Sequence, residues 1–225
     1  MNAAPPARKP LWRRLAGAAL RTGKGVASGV RLRSPHNRLV AARAARRSPL
    51  LVHVGCGSII FKGWVNVDLA PPADLLWDLR RGLPFAAACA DAVYSEHFIE
   101  HIDYEAGAKV VAEMHRILKP GGIVRMATPD LDHLVERYTD KDWRQQEWLE
   151  KPWYDFIQTR GMMLNVAMRW WGHRFLYNEE DLRRQLEAAG FQNVRRVAWG
   201  KSAMPHLANR ETRDDSRLIL EGTRA

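Results

Sequence analysis

Five short apolar runs between residues 50 and 127 constrain the fold more than any other feature of the chain. Leu50-Leu51-Val52-His53-Val54 stops at Gly55, Trp64-Val65-Asn66-Val67 ends in Asp68, and Asp74-Leu75-Leu76-Trp77 ends in Asp78. Ala92-Val93-Tyr94-Ser95 and Ile123-Val124-Arg125-Met126-Ala127 follow, the last halted at Pro129. Runs of this length, bounded by turn residues, read as buried strands. Residues 104–118 place Ala108, Val111, Met114, His115 and Leu118 at helical spacing before Pro120-Gly121-Gly122. A second helix spans 178–189 and is stopped by Gly190; 194–199 and 218–221 supply two last strands. Strands alternating with helices specify an α/β fold, an open and largely parallel sheet with helices on both faces. Ligands of such sheets bind outside the carboxyl ends of the strands, near the point where strand order reverses.

At 225 residues the chain holds one full domain plus attachments. With 46% hydrophobic and 27% charged residues it is neither disordered nor a fibrous chain. Two cysteines, Cys56 and Cys89, cannot build a disulfide framework, which points to the reducing cytoplasm. No apolar run approaches the ~20 residues that span a bilayer.

The net charge of +10 is concentrated in one segment. Residues 1–50 hold 12 basic side chains and no acid; the first acid is Asp68. Taking those 12 from the 35 basic residues leaves 23 against 25 acids, so the body is near neutral at −2. The sequence therefore divides into a basic extension, 1–47, and a domain, 48–225. Within the extension, Leu11, Trp12, Leu15, Ala18 and Ala19 recur at helical spacing among Arg13, Arg14 and Arg21. Residues 8–22 suit a peripheral contact with an anionic membrane, here its inner face, or an organellar transit peptide. A loosely ordered extension is the plainer alternative. A further helix is expected at about 37–47.

Each candidate site residue has a functional and a structural reading. In Gly55-Cys56-Gly57-Ser58, glycines let the backbone approach a ligand with its N–H groups turned toward it, or simply close a tight turn. Asp68 suits a ribose diol, which donates two hydroxyl hydrogens to one carboxylate; alternatively it is a turn acid. Asp78 could accept from an adenine amino group, or face Arg80 or Arg81 in a turn.

Taken in order, Val54-Gly55-Cys56-Gly57-Ser58, Asn66-Val67-Asp68, Trp77-Asp78-Leu79, Leu83-Pro84-Phe85, Asp91-Ala92-Val93 and Leu118-Lys119-Pro120-Gly121-Gly122 are more specific than any one of them. The set resembles the class I S-adenosylmethionine-dependent methyltransferases, and looks closest to small bacterial enzymes of the glycan and envelope kind (methyltransferase type 11-like). The resemblance covers about 50–200 and the strand near 217–222. It implies a Rossmann-like seven-stranded sheet with a C-terminal antiparallel strand, and S-adenosyl-L-methionine as cofactor. It further implies that Gly55, Cys56 and Gly57 line the cofactor's methionine part, that Asp68 holds the ribose and that Asp78 with Leu79 flanks the adenine. Ser95 and Glu96, after the fourth strand, fall where the family places the methionine end and the acceptor. Two departures stand out. His53 occupies the place of the usual acid before the loop, and a third loop glycine is replaced around Ser58-Ile59. The short stretch from the loop to the second strand requires a shortened or lost first helix.

Methyl transfer needs an aligned acceptor and, for a hydroxyl, a base. Glu96-His97-Phe98-Ile99-Glu100-His101 is the richest cluster, its two Glu-His pairs sharing a face if the segment is helical. By resemblance to cyclopropane-forming and some N-methylating relatives, His101 is a candidate base and Glu100 its partner; packing is the alternative for both and for His97. Metal ligation by His97 and His101 at i,i+4 lacks clear further ligands, so no metal is expected. His173 is a second base candidate, and Asp130 faces the same mouth or caps a helix. Trp143, Trp148, Trp153, Trp170 and Trp171 lie close together in sequence, so residues of about 138–177 are expected to form an aromatic lid or a packed subdomain. The expected reaction is methyl transfer to a small-molecule or glycan acceptor, lipid-linked or free, at oxygen. The other readings are a nucleic-acid methyltransferase, disfavoured by the near-neutral body, and a non-catalytic protein that keeps the fold.

Overall fold

The computed structural model describes residues 35–225, so the expectations for segment 8–22 lie outside the described residues. The chain runs α1 (Pro35–Ala44), β1 (Leu51–Val54), β2 (Val65–Asp68), β3 (Leu75–Leu76), β4 (Ala90–Glu96), α2 (Tyr104–Ile117), β5 (Leu118–Thr128), α3 (Leu131–Thr139), α4 (Arg160–Arg169), α5 (Glu179–Ala188), β6 (Phe191–Arg196) and β7 (Leu218–Arg224). The strands form one seven-stranded sheet in the order β3-β2-β1-β4-β5-β7-β6. The pairs from β3 to β5 are parallel, and only β7 runs against its neighbours. The order reverses between β1 and β4, so the carboxyl ends of these two strands flank the crevice where a ligand binds.

Alternation along the strands sorts two unlike faces. Val52, Val93 and Val124 are cross-strand partners in one row and enter the main core, where Val110, Val111 and Met114 of α2 and Leu182 and Leu186 of α5 cover them. One residue along, the row reads His53, Tyr94, Arg125 and Glu221, all buried. Phe61, Trp64, Met204 and Leu207 close over part of this second face. No helix forms between β1 and β2; that connection is a series of turns, and its Phe61 ring stacks on His53 at 4.4 Å. The sequence expected a long third strand, but only Leu75–Leu76 pair, because Asp78 turns the chain into a short 3-10 helix. The last helix connects directly to β6, which begins at Phe191 rather than 194. Helix α1 lies on the β3 side, where the Asn37 amide donates to Leu76 O at 2.8 Å and Ala44 reaches the core. No described helix is long and apolar enough to cross a membrane.

His53 has a thermodynamic consequence. Burial first, opposed by its bond to Asn66 and aided by the charge of Arg210, lowers its pKa from 6.5 to about 4. The unfolded chain then takes up this proton before the folded one does. Stability contributed here is full above pH 6.5 and falls as pH drops toward 4, by at most about 3 kcal/mol. His53→Gln is expected to flatten that segment of the stability profile. Urea denaturation between pH 7 and 4.5 reads it, and an identical slope in both proteins would contradict the account.

Candidate active site at the carboxyl ends of the strands

The loop after β1 is tied to β2, with Gly55 N and Cys56 N donating to Val67 O at 2.9 and 3.2 Å. Gly55 has φ +69°, and a Cβ there would lie 2.3–2.5 Å from the Phe98 ring, so glycine is required on both counts. Gly57 has φ +54° and open space where its Cβ would be. Its N–H donates to Asp68 Oδ2 at 2.9 Å, while Leu69 N donates to Oδ1 at 2.6 Å. An ionised carboxylate has about four acceptor positions, so two stay available for a diol. An open glycine loop joined to a carboxylate with spare acceptor capacity fits a nucleoside cofactor.

The other expected cofactor residues are more deeply committed to the fold. Asp78 caps the 3-10 helix through Arg80 N and accepts from Arg80 Nε and Nη2, both at 2.9 Å, which holds its carboxyl below the usual range. Leu79 is packed into the main core, and Ser95 is buried on β4. Cys56 is buried too; burial and the charges of Asp68 and Asp74 push its thiol up to about 12, so it is no nucleophile.

Glu96 serves the loop between β6 and β7. It accepts from Thr212 N and Oγ1, from Arg213 N and from Ser216 Oγ, at 2.6–3.2 Å. Glu96→Gln turns an amide toward these donors. We expect it to weaken the loop's anchorage by roughly 2–3 kcal/mol and to speed tryptic cleavage at Arg213 and Arg217. Equal cleavage rates in folded wild type and variant would contradict this role.

The Glu-His segment is not a regular helix, so the two pairs do not share a face. His97, at φ +49°, directly follows β4, and Ile99–His101 form one 3-10 turn. His97 falls between Glu100, with Nδ1 3.1 Å from Oε1, and Asp215, with Nε2 3.3 Å from Oδ1. Burial lowers its pKa, and the two carboxylates outweigh this and raise it. Glu100 is completely buried and accepts from Thr128 Oγ1 at 3.1 Å. His101 instead meets His173, ring centroids 4.9 Å apart. His173 Nδ1 is 2.8 Å from Ala167 O, a bond in which the nitrogen must donate, so Nε2 carries the lone pair.

His97, His101 and His173 line a cavity of about 800 Å³ beyond β4 and β5, shared with Trp148, Trp153, Tyr154 and Trp171. The aromatic segment has its own small core of Leu149, Ile157, Met163 and Val166, with Trp143 and Trp148 packed on it. Trp153 and Trp170 remain mostly exposed. Asp130 caps α3, pairs with Arg196 at 2.7 Å and reaches the same cavity. Sequence reading missed the opposite wall, Thr212 to Asp215 and Arg217. The charged run Glu211-Thr212-Arg213-Asp214-Asp215, in a long segment between two strands, was the available signal.

Sheet order with one reversed strand, the glycine loop and the acid ending β2 match what the resemblance to class I methyltransferases implies. Residues 33–196 match the family described as a methyltransferase domain, and the chain belongs to that family. It therefore carries a methyltransferase domain over most of its length. No curated protein matches its sequence. Solved structures similar in fold include an S-adenosylmethionine-dependent methyltransferase of Archaeoglobus fulgidus (16% identity, 83% of this chain and 94% of that one, TM-score 0.45). Another is the 1,6-didemethyltoxoflavin-N1-methyltransferase of Burkholderia thailandensis with bound 1,6-didemethyltoxoflavin and S-adenosylhomocysteine (13%, 99% and 93%, 0.45).

Proposed function

We propose that the enzyme methylates a hydroxyl oxygen of a small polyhydroxylated acceptor, a sugar or glycan, held in the cavity beside the Glu100, His101 and His173 cluster. The cavity carries this reading. Its aromatic side chains suit the apolar faces of a sugar ring, and Asp130, Asp214, Asp215 and Arg137 suit its hydroxyls. Its size, about 800 Å³, lies in the range of small-molecule pockets. When bound, S-adenosylmethionine supplies a methyl group activated by a positive sulfur. Gly55 and Gly57 would admit its methionine part and Asp68 would accept from its ribose hydroxyls. The chain's remaining task is alignment of the acceptor and removal of its proton, for which His101 and His173, both lining the cavity, are the proposed bases.

The test is release of S-adenosylhomocysteine with a panel of sugars, phenols and amines, followed by mass location of the methyl group. A sugar O-methyl product, with turnover reduced in His101→Ala more than KM is raised, supports the proposal. Turnover confined to amines would overturn the oxygen assignment.

A further inference from the structure

Glu100, His101 and His173 each bring one ligand atom to a common point, and all three atoms lie within 4.8 Å of one another. Two independent features prepare this point. Glu100 is fully buried, with Oε2 fixed by Thr128 and Oε1 making no well-formed hydrogen bond, its near polar neighbour being the ion-pair partner His97 Nδ1 at 3.1 Å. His173 is oriented by its Nδ1 bond to Ala167 O, which leaves Nε2 free as a donor atom, the arrangement usual for a metal-bound imidazole. Backbone bonds from Arg174 N and Phe175 N to Glu100 O, at 2.7 and 3.3 Å, staple the two chain segments together.

We infer that Glu100, His101 and His173 form a binding site for one divalent metal ion of the zinc class, with its open coordination position facing the cavity. Two imidazole nitrogens and one carboxylate oxygen are a borderline donor set that selects zinc-like ions over magnesium or calcium. Tetrahedral zinc places its ligand atoms about 3.4 Å apart. His101 Nε2 is 4.0 Å from Glu100 Oε1, and the half-exposed His101 ring can make up the difference by rotation. The sequence offered only the His97 and His101 pair; the fold keeps His97 Nδ1 3.1 Å from Glu100 Oε1 with its Nε2 toward Asp215, and supplies His173 as the third ligand. If the cavity is the acceptor site, as proposed above, the open position takes the acceptor's hydroxyl oxygen and the ion lowers its pKa. In that case the hydroxyl proton would pass to solvent water in the open cavity rather than to a free imidazole, and the oxygen would take the methyl as the donor's C–S bond breaks.

The experiment is titration of the chelator-treated protein with Co2+ alone, read by its visible d–d bands, then displacement by Zn2+. One equivalent is expected to give tetrahedral-type bands. Affinity should fall more than about tenfold in His173→Ala and in Glu100→Gln, and stay unchanged in His36→Ala, an exposed histidine on α1. His173→Ala guards against misfolding of the Glu100 variant, its fold checked by circular dichroism. No Co2+ bands in the wild type, or bands that persist in His173→Ala, would overturn the site. The readout is independent of methyl transfer, so a failed acceptor screen leaves it standing and the reverse also holds.

Discussion

Arg125→Met is expected to cost about 3–5 kcal/mol of stability, which for a domain of this size is a fall of roughly 6–20 °C in Tm. Arg125 is wholly buried on the second face of the sheet. Its Nε donates to Glu211 at 2.6 Å, and its Nη1 donates to Glu221 at 2.8 Å and to Lys201 O at 2.6 Å. Burial alone would lower its pKa, but the two carboxylates raise it, so the cation is held. Removing it leaves Glu211, its side chain fully buried, with Gly200 N, at 2.9 Å, as its one remaining donor among the described residues. Glu221 keeps Arg195 at 3.4 Å. Most of the loss is therefore the cost of an uncompensated buried carboxylate, and Arg125→Met combined with Glu211→Leu should recover much of it. Thermal denaturation of the three proteins tests this, and a loss under 1 kcal/mol in the single variant would contradict it. The cluster also has a functional effect. Together with Glu96 it pins the loop that supplies the Thr212 to Asp215 wall of the cavity.

Asp68→Ala is expected to weaken binding of S-adenosylmethionine and of S-adenosylhomocysteine by about a hundredfold or more. Two charge-assisted bonds from ribose hydroxyls are worth about 1.5–3 kcal/mol each, and 2.7 kcal/mol already corresponds to a hundredfold. The substitution also frees Gly57 N, loosening the loop that shapes the crevice. Asp78→Ala should act differently. Its carboxylate is occupied by Arg80, so the first loss is that of a helix cap, about 1 kcal/mol of stability.

These two residues show what the sequence made legible. Asp68 could be found because a strand ending in an acid, one glycine loop downstream of another strand, is a local pattern. The sheet was legible for the same reason, as each strand is a contiguous apolar run with its own stop signal. Arg125 was not legible. Ile-Val-Arg-Met-Ala reads as an apolar strand with one polar interruption, and its two carboxylate partners lie far along the chain. Glu96 sat in the expected cluster, yet its partners Thr212, Arg213 and Ser216 arrive only through the antiparallel return of β7. The Glu-His pairs were read at helical spacing. The left-handed conformation at His97 breaks that spacing: both rings stay beside Glu100, but His97 turns its Nε2 to Asp215 while His101 meets His173.

The central claim is that the crevice between β1 and β4 binds the methyl donor through the Gly55 to Gly57 loop and Asp68. The most direct measurement is calorimetric titration of the wild type and of Asp68→Ala with S-adenosylhomocysteine, with Arg125→Met as a destabilised control whose crevice is intact. The account predicts micromolar binding in the wild type and in the folded Arg125→Met protein, and none measurable in Asp68→Ala. Equal affinity in wild type and Asp68→Ala, or no binding by the wild type, would contradict it.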